Sequence, residues 1–220
     1  MRLIIAIIGF IWALNVSALG IEIPRAGFGY QKAIILFDLS ANVLTCKQTL
    51  KREFKVLDQL LSTSSLKKGG VNAVSFIFFD KEVLGTSTVE AKEHLFKEKD
   101  FKEFSEQVKR NFASFYRKTV TKSGNQLADL YGALVYSLSL VSDRKTTIIV
   151  VSPGIQNFNR DVLTSLQLPE NVKRVFFLSH PFECTSYSES YKYKAFQTYV
   201  VDYWKRLISP ISKVEFLYSF

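Results

Sequence analysis

Residues 32–46 read KAIILFDLSANVLTC, and the fold turns on this stretch. Ala33 to Phe37 is an uninterrupted apolar run that ends on Asp38. A strand without polar alternation is one covered on both faces, the habit of strands in parallel α/β sheets. A polar step follows at Ser40, Ala41 and Asn42, and a helical period begins near Cys46. The strand tip therefore carries a carboxylate, a hydroxyl and an amide, at the end where open α/β sheets keep their ligand sites.

Working outward, strands and helices alternate along the chain. Further strands are expected at 73–79, 146–151, 172–178 and 214–218, with a short edge strand at 82–86. Helices are expected at 46–61, from Asp100 onward, at 127–141, at 159–166 and at 191–208. Asp100 followed by Glu103 suggests a capping box at the start of the second helix. Its stripe Phe101, Phe104, Val108, Phe112 and Phe115 marks a core face. The stretch 87–99 is charged and shows no clear period. The alternating order predicts a doubly wound, mostly parallel central sheet with helices on both faces, a three-layer sandwich. A Rossmann-type nucleotide site is excluded, because 38–46 contains no glycine for the phosphate turn.

At 47% hydrophobic and 14% aromatic, the 220 residues suit one well-buried globular domain. With Phe at 19 and Met at 1, rigid rings rather than flexible thioethers build the core. Residues 1–18 have the form of a secretory leader. Arg2 precedes a mostly apolar stretch, Leu3 to Val16, and Val16-Ser17-Ala18 offers small residues for cleavage after Ala18. The apolar run is shorter than a bilayer crossing requires. Residues 19–31 form a connector and 32–220 the folded domain. The mature chain is then expected in an extracytoplasmic place, a bacterial periplasm or cell surface. In an oxidising compartment Cys46 and Cys184 suggest one disulfide, two separate buried thiols being the alternative.

Motifs with catalytic meaning are scarce. The two histidines, His94 and His180, have no Ser or Cys partner at a telling spacing, and no G-x-S-x-G, H-E-x-x-H or phosphate loop occurs. No enzyme activity is expected, a hydrolase on the doubly wound sheet being the less favoured alternative. The net charge of +9 favours anionic partners. Its lysines are spread along the helices rather than gathered in one block, so sequence-specific nucleic-acid binding is not expected. An alternative partner is an acidic polymer or anionic membrane surface. Residues 187–206 interleave Tyr187, Tyr191, Tyr193, Tyr199, Tyr203 and Trp204 with Lys192, Lys194, Lys205 and Arg206.

Several motifs occur in a telling order. An apolar strand ends in D-x-S-x-N at Asp38, Ser40 and Asn42. A helix opens with ADLYGAL at 128–134. A further strand ends in SPGIQN at 152–157. Over about residues 32–220 this resembles the von Willebrand factor A-type (vWA) domain. The resemblance implies a protein-interaction or adhesion module whose usual site is a metal-ion-dependent adhesion site at the sheet edge. It takes D-x-S-x-S from the first strand, a Thr before a helix and an Asp after the fourth strand. Asp38 and Ser40 match. Asn42 stands for the second Ser, Ala128 for the Thr and Ser152 for the Asp, with Asp129 one position away. One carboxylate with neutral oxygens makes a poor Mg²⁺ shell, so no cofactor is expected; Asp38, Ser40 and Asn42 are the weak metal candidates. The candidate partner-binding rim is Asp38, Ser40, Asn42, Asp129 and Ser152, with another protein as the expected partner.

Overall fold

β1 (Gln31–Asp38) lies near the middle of a six-stranded sheet and is the strand the others are arranged around. The structure is a computed structural model. It describes residues 31–40, 54–58, 60–61, 71–81, 83–90, 98–120, 128–154, 164–179 and 190–218. The leader, most of the connector, Asn42, both cysteines and both histidines lie outside the described residues.

The other strands are β2 (Val71–Phe79), β3 (Val83–Glu90), β4 (Lys145–Val151), β5 (Leu166–Gln167), β6 (Val172–Ser179), β7 (Ile208–Ser209) and β8 (Val214–Tyr218). The sheet order is β3-β2-β1-β4-β6-β8, and a separate two-stranded ladder joins β5 to β7. β2, β1, β4, β6 and β8 run parallel, and β3 closes one edge antiparallel to β2. Every residue from Lys32 to Ser40 is buried, which is why this strand shows no alternation in sequence.

The described helices are α1 (Glu98–Val120), α2 (Leu130–Ser139) and α3 (Ser190–Leu207), and residues 54–58 and 60 are also helical. Alternate residues of β1 feed two cores. Ala33, Ile35 and Phe37 pack with Leu57, Leu60 and the α1 stripe Phe101, Phe104, Val108 and Phe112. Ile34 and Leu36 pack on the other face with Leu130 and Leu134 of α2 and Val200 and Trp204 of α3. The result is an α/β three-layer sandwich with a mostly parallel sheet.

Some boundaries differ from the sequence expectation, each for a physical reason. β1 opens at Gln31, already paired with Val71 and Lys145, so the connector gives up its last residue to the sheet. β3 continues past Thr86 to Glu90, because Ser87, Thr88, Val89 and Glu90 still find ladder partners on β2, Glu90 lying opposite Ala73. The helical conformation of α1 is present at Glu98, so Asp100 occupies the first turn and not the cap. Glu98 and Lys99 are good helix formers and extend the helix ahead of it. α2 starts at Leu130, with Asp129 as its N-cap rather than inside its first turn. Leu166 belongs to no helix: it pairs with Ile208, and Leu168 N–H donates to Ser209 O at 2.7 Å. The same ladder takes Ile208 out of α3.

Candidate functional site

The C-terminal edge of the parallel sheet is assembled from the tips of β2, β1 and β4. These strands are consecutive in the sheet, so their last residues stand about 4.8 Å apart from strand to strand. Each tip carries a polar residue: Asp80 after β2, Asp38 at the end of β1 and Ser152 after β4. All three are buried, at 1%, 2% and 0% exposure. A buried carboxylate needs donors, since an uncompensated one costs several kcal/mol.

For Asp38 the donors come from two directions. Ser40 N–H donates to Oδ1 at 2.8 Å, a local turn of the kind Asp side chains form with backbone two residues on. Ser152 Oγ donates to Oδ2 at 2.7 Å across 114 positions of sequence. The same Ser152 oxygen accepts from Gly154 N–H at 3.0 Å. Gly154 in turn offers its carbonyl to Trp204 Nε1 of α3 at 2.8 Å. Trp204 is fully buried and its indole lies 5.6 Å from the Phe177 ring on β6. A continuous buried chain of hydrogen bonds thus runs from β1 through the Ser152-Pro153-Gly154 turn to α3.

Gly154 makes that turn feasible. Its φ is +81°, a left-handed conformation that side chains resist, and a Cβ there would lie 2.7 Å from Val200 Cγ1. On the other flank, Asp129 N–H donates to the Asp80 carbonyl at 2.6 Å, which seats the start of α2 on the tip of β2. The Asp129 carboxylate accepts from Gly132 N–H at 2.9 Å. It is the N-cap of α2, where its charge also meets the positive end of the helix dipole.

Of the sequence candidates, Asp38, Ser40 and Ser152 are therefore joined directly. Asp129 sits at the same edge but spends an oxygen on its own helix, and Ala128 beside it is a buried methyl. All four polar candidates are buried, Asp129 being the most exposed at 9%, so they shape the edge from beneath its surface. Asn42, and the bridge Cys46 to Cys184, fall outside the described residues. Asp80 and Trp204 are members that sequence reasoning missed, while Gly154 shows in sequence only as part of the SPGIQN turn. For Asp80 there was a signal: β1 and β2 both end in Phe-Asp, at Phe37-Asp38 and Phe79-Asp80. Nothing in sequence connects Gly154 with Trp204.

The aromatic and basic segment 187–206 divides. Val200 and Trp204 face the core, while Tyr199 is 58% exposed and stacks on Tyr203, with Lys205 and Arg206 exposed below. Partial burial pushes the Tyr203 phenol above its usual pKa, and the neighbouring Tyr199 and Tyr131 add to the effect. Among the described residues, no group of three or more His, Cys, Asp or Glu side chains is arranged to hold a metal ion. No described helix is long and apolar enough to cross a membrane.

Comparison with known proteins gives little to lean on. No family model matches the chain, and no curated protein matches it. Among solved structures the chain is similar to a conserved hypothetical protein BatB from Bacteroides thetaiotaomicron, at 14% identity and a TM-score of 0.44, over 86% of this chain and 89% of that one.

Proposed function

We propose that this chain is an exported, non-catalytic vWA-like module that binds another protein through the C-terminal edge of its sheet, and that the edge is ordered by hydrogen bonds instead of a metal ion. The arrangement that supports a vWA-like reading is the placement of three motifs at one edge. The D-x-S of β1 (Asp38, Ser40), the LYGAL start of α2 and the Ser152 turn after β4 are neighbours there, beside an antiparallel edge strand β3.

The observation that carries the metal-free part is the engagement of Asp38. Its two carboxylate oxygens accept from Ser40 N–H and Ser152 Oγ, and Ser152 fills the place where a second carboxylate would be wanted. Asp129 is turned to Gly132 N–H. One carboxylate already supplied with donors, a hydroxyl and a methyl do not make the near-octahedral oxygen shell that Mg²⁺ requires. The same geometry supports a non-catalytic role. Ser152 Oγ is bonded to a carboxylate, but the residue is fully buried and its oxygen is also held by Gly154 N–H, so no substrate carbon can approach it.

The test joins metal and partner. The native chain is melted with EDTA and with Mg²⁺, and used to capture partners from its own envelope under both conditions. The expected result is one melting temperature and one set of captured proteins. A clear rise in melting temperature with Mg²⁺, or capture that EDTA abolishes, would overturn the metal-free reading. Asp38→Ala should cost about 2–4 kcal/mol of stability, because it strands a buried N–H and a buried hydroxyl.

A further inference from the structure

The opposite, N-terminal edge of the sheet collects positive charge. Hydrogen bonds stitch together the entries to three adjacent strands. Asn171 Nδ2 donates to Ser142 O at 3.0 Å and Thr146 N–H to Asn171 O at 2.8 Å, joining the approach to β4 with the approach to β6. Lys213, just before β8, donates Nζ to Pro169 O at 3.1 Å and to Glu170 O at 3.5 Å. Lys173 Nζ donates to that same Glu170 carbonyl at 3.1 Å. Two ammonium groups thus converge on one neutral oxygen. The β5–β7 ladder brings the last turn of α3 to this edge as well, with Lys205 and Arg206 exposed on it.

Lys145 at the start of β4 is exposed too. Asp143 and Glu170 are the exposed carboxylates among these connections, and Arg174 is already paired with Glu215 on β8. In the 3₁₀ turn that carries Lys213, Ile211–Lys213, Ile211 is 49% exposed. Ile211 gives this basic edge one aliphatic side chain, in the same turn as Lys213, for a partner with an apolar layer to cover.

We infer that this N-terminal edge docks peripherally on an anionic phospholipid surface, with Lys145, Lys173, Lys205, Arg206 and Lys213 on the lipid phosphates and Ile211 in the acyl boundary. A lipid surface suits the pattern because it offers separate single charges in a plane, which match cations spread over three strand entries, together with an apolar layer for Ile211. A nucleic-acid backbone would use the cations and leave Ile211 in water.

The test is sedimentation of the full chain with vesicles of phosphatidylcholine containing phosphatidylglycerol, against phosphatidylcholine alone. Binding is expected only with the anionic lipid and should weaken as salt rises. Lys173→Glu with Lys213→Glu should lower it roughly tenfold or more, and Ile211→Ser by roughly threefold. Lys102→Glu with Arg110→Glu, the same change of net charge on exposed positions of α1, should leave it intact. Equal binding to both vesicles overturns the inference, as does an equal loss in the α1 variant. Loss of DNA or acidic-peptide retention in the edge variants without loss of vesicle binding overturns it likewise. If the double edge variant melts early, Ile211→Ser and Lys145→Glu, each with an unchanged melt, decide the matter alone.

Discussion

Asp38 has a carboxylate at the tip of a buried strand, and the physics of that position is dominated by where its donors come from. One is local, Ser40 N–H; the other, Ser152 Oγ, is held in place by a glycine turn whose carbonyl is gripped by an indole. Gly154 is a weak point of the chain of the same order as Asp38 itself. Gly154→Ala forces a Cβ into a left-handed backbone and to within 2.7 Å of Val200 Cγ1. The backbone strain is about 1–2 kcal/mol and the overpacking about 1–3 kcal/mol, so a loss of about 2–5 kcal/mol is expected. A urea titration would show it as a lower midpoint with an unchanged slope. A variant as stable as the native chain would mean that the turn relaxes and that the hydrogen-bond chain is dispensable.

At the level of elements, α1 is held on the sheet by a network of rings. Phe112 meets Phe37 at 5.7 Å between centroids, Phe78 at 6.1 Å and Phe54 at 4.6 Å. Its ring is fully buried, while Phe54, in the same network, is 41% exposed. The two positions look alike in the helical periodicity, and the difference lies in which one the sheet covers. Phe112→Ala should therefore cost about 3–5 kcal/mol, and Phe54→Ala about 1 kcal/mol, chiefly through the lost ring contact. Parallel thermal melts of the two variants check this, and similar losses would mean that α1 is not anchored through Phe112. How much was legible in sequence follows the same logic. β1, β2, β4 and β6 announce themselves by apolar runs, at 33–37, 76–79, 148–151 and 175–178, because both faces are covered there. β5 and β7 are two residues each and exist only because distant segments meet, so no local pattern could reveal them. The edge site was half legible. Polar residues at strand tips are visible in a sequence, but that Asp38 takes its second donor from Ser152 depends on β1 and β4 being neighbours, which is a property of the sheet order.

On the scale of the whole molecule, charge and titration set how stability responds to solution conditions. The Tyr203 phenol is raised by partial burial and by its two phenolic neighbours, so its folded pKa exceeds the unfolded value near 10. A group whose pKa is raised on folding contributes fully below its unfolded pKa and loses that contribution as pH rises through its folded one. Stability should then fall from about pH 10 upward, and Tyr203→Phe should flatten that decline while leaving neutral-pH stability nearly unchanged. Denaturation midpoints followed across that range decide it; an identical alkaline slope in the variant would remove Tyr203 from the account.

The buried hydrogen-bond chain from Asp38 to Trp204 also bears on the order of assembly. Its links span 114 and 50 positions of sequence, from the first strand of the sheet to the last long helix. Contacts of such separation pay their loop-closure entropy before they return anything, so they form late. A nascent chain can pair β1 with β2 early, but it has no donor for the Gly154 carbonyl until Trp204 has been made and α3 has docked. The C-terminal edge is therefore completed last. A truncated or half-folded copy presents an unfinished edge, so the partner recognition proposed for it would be a readout of a fully built domain.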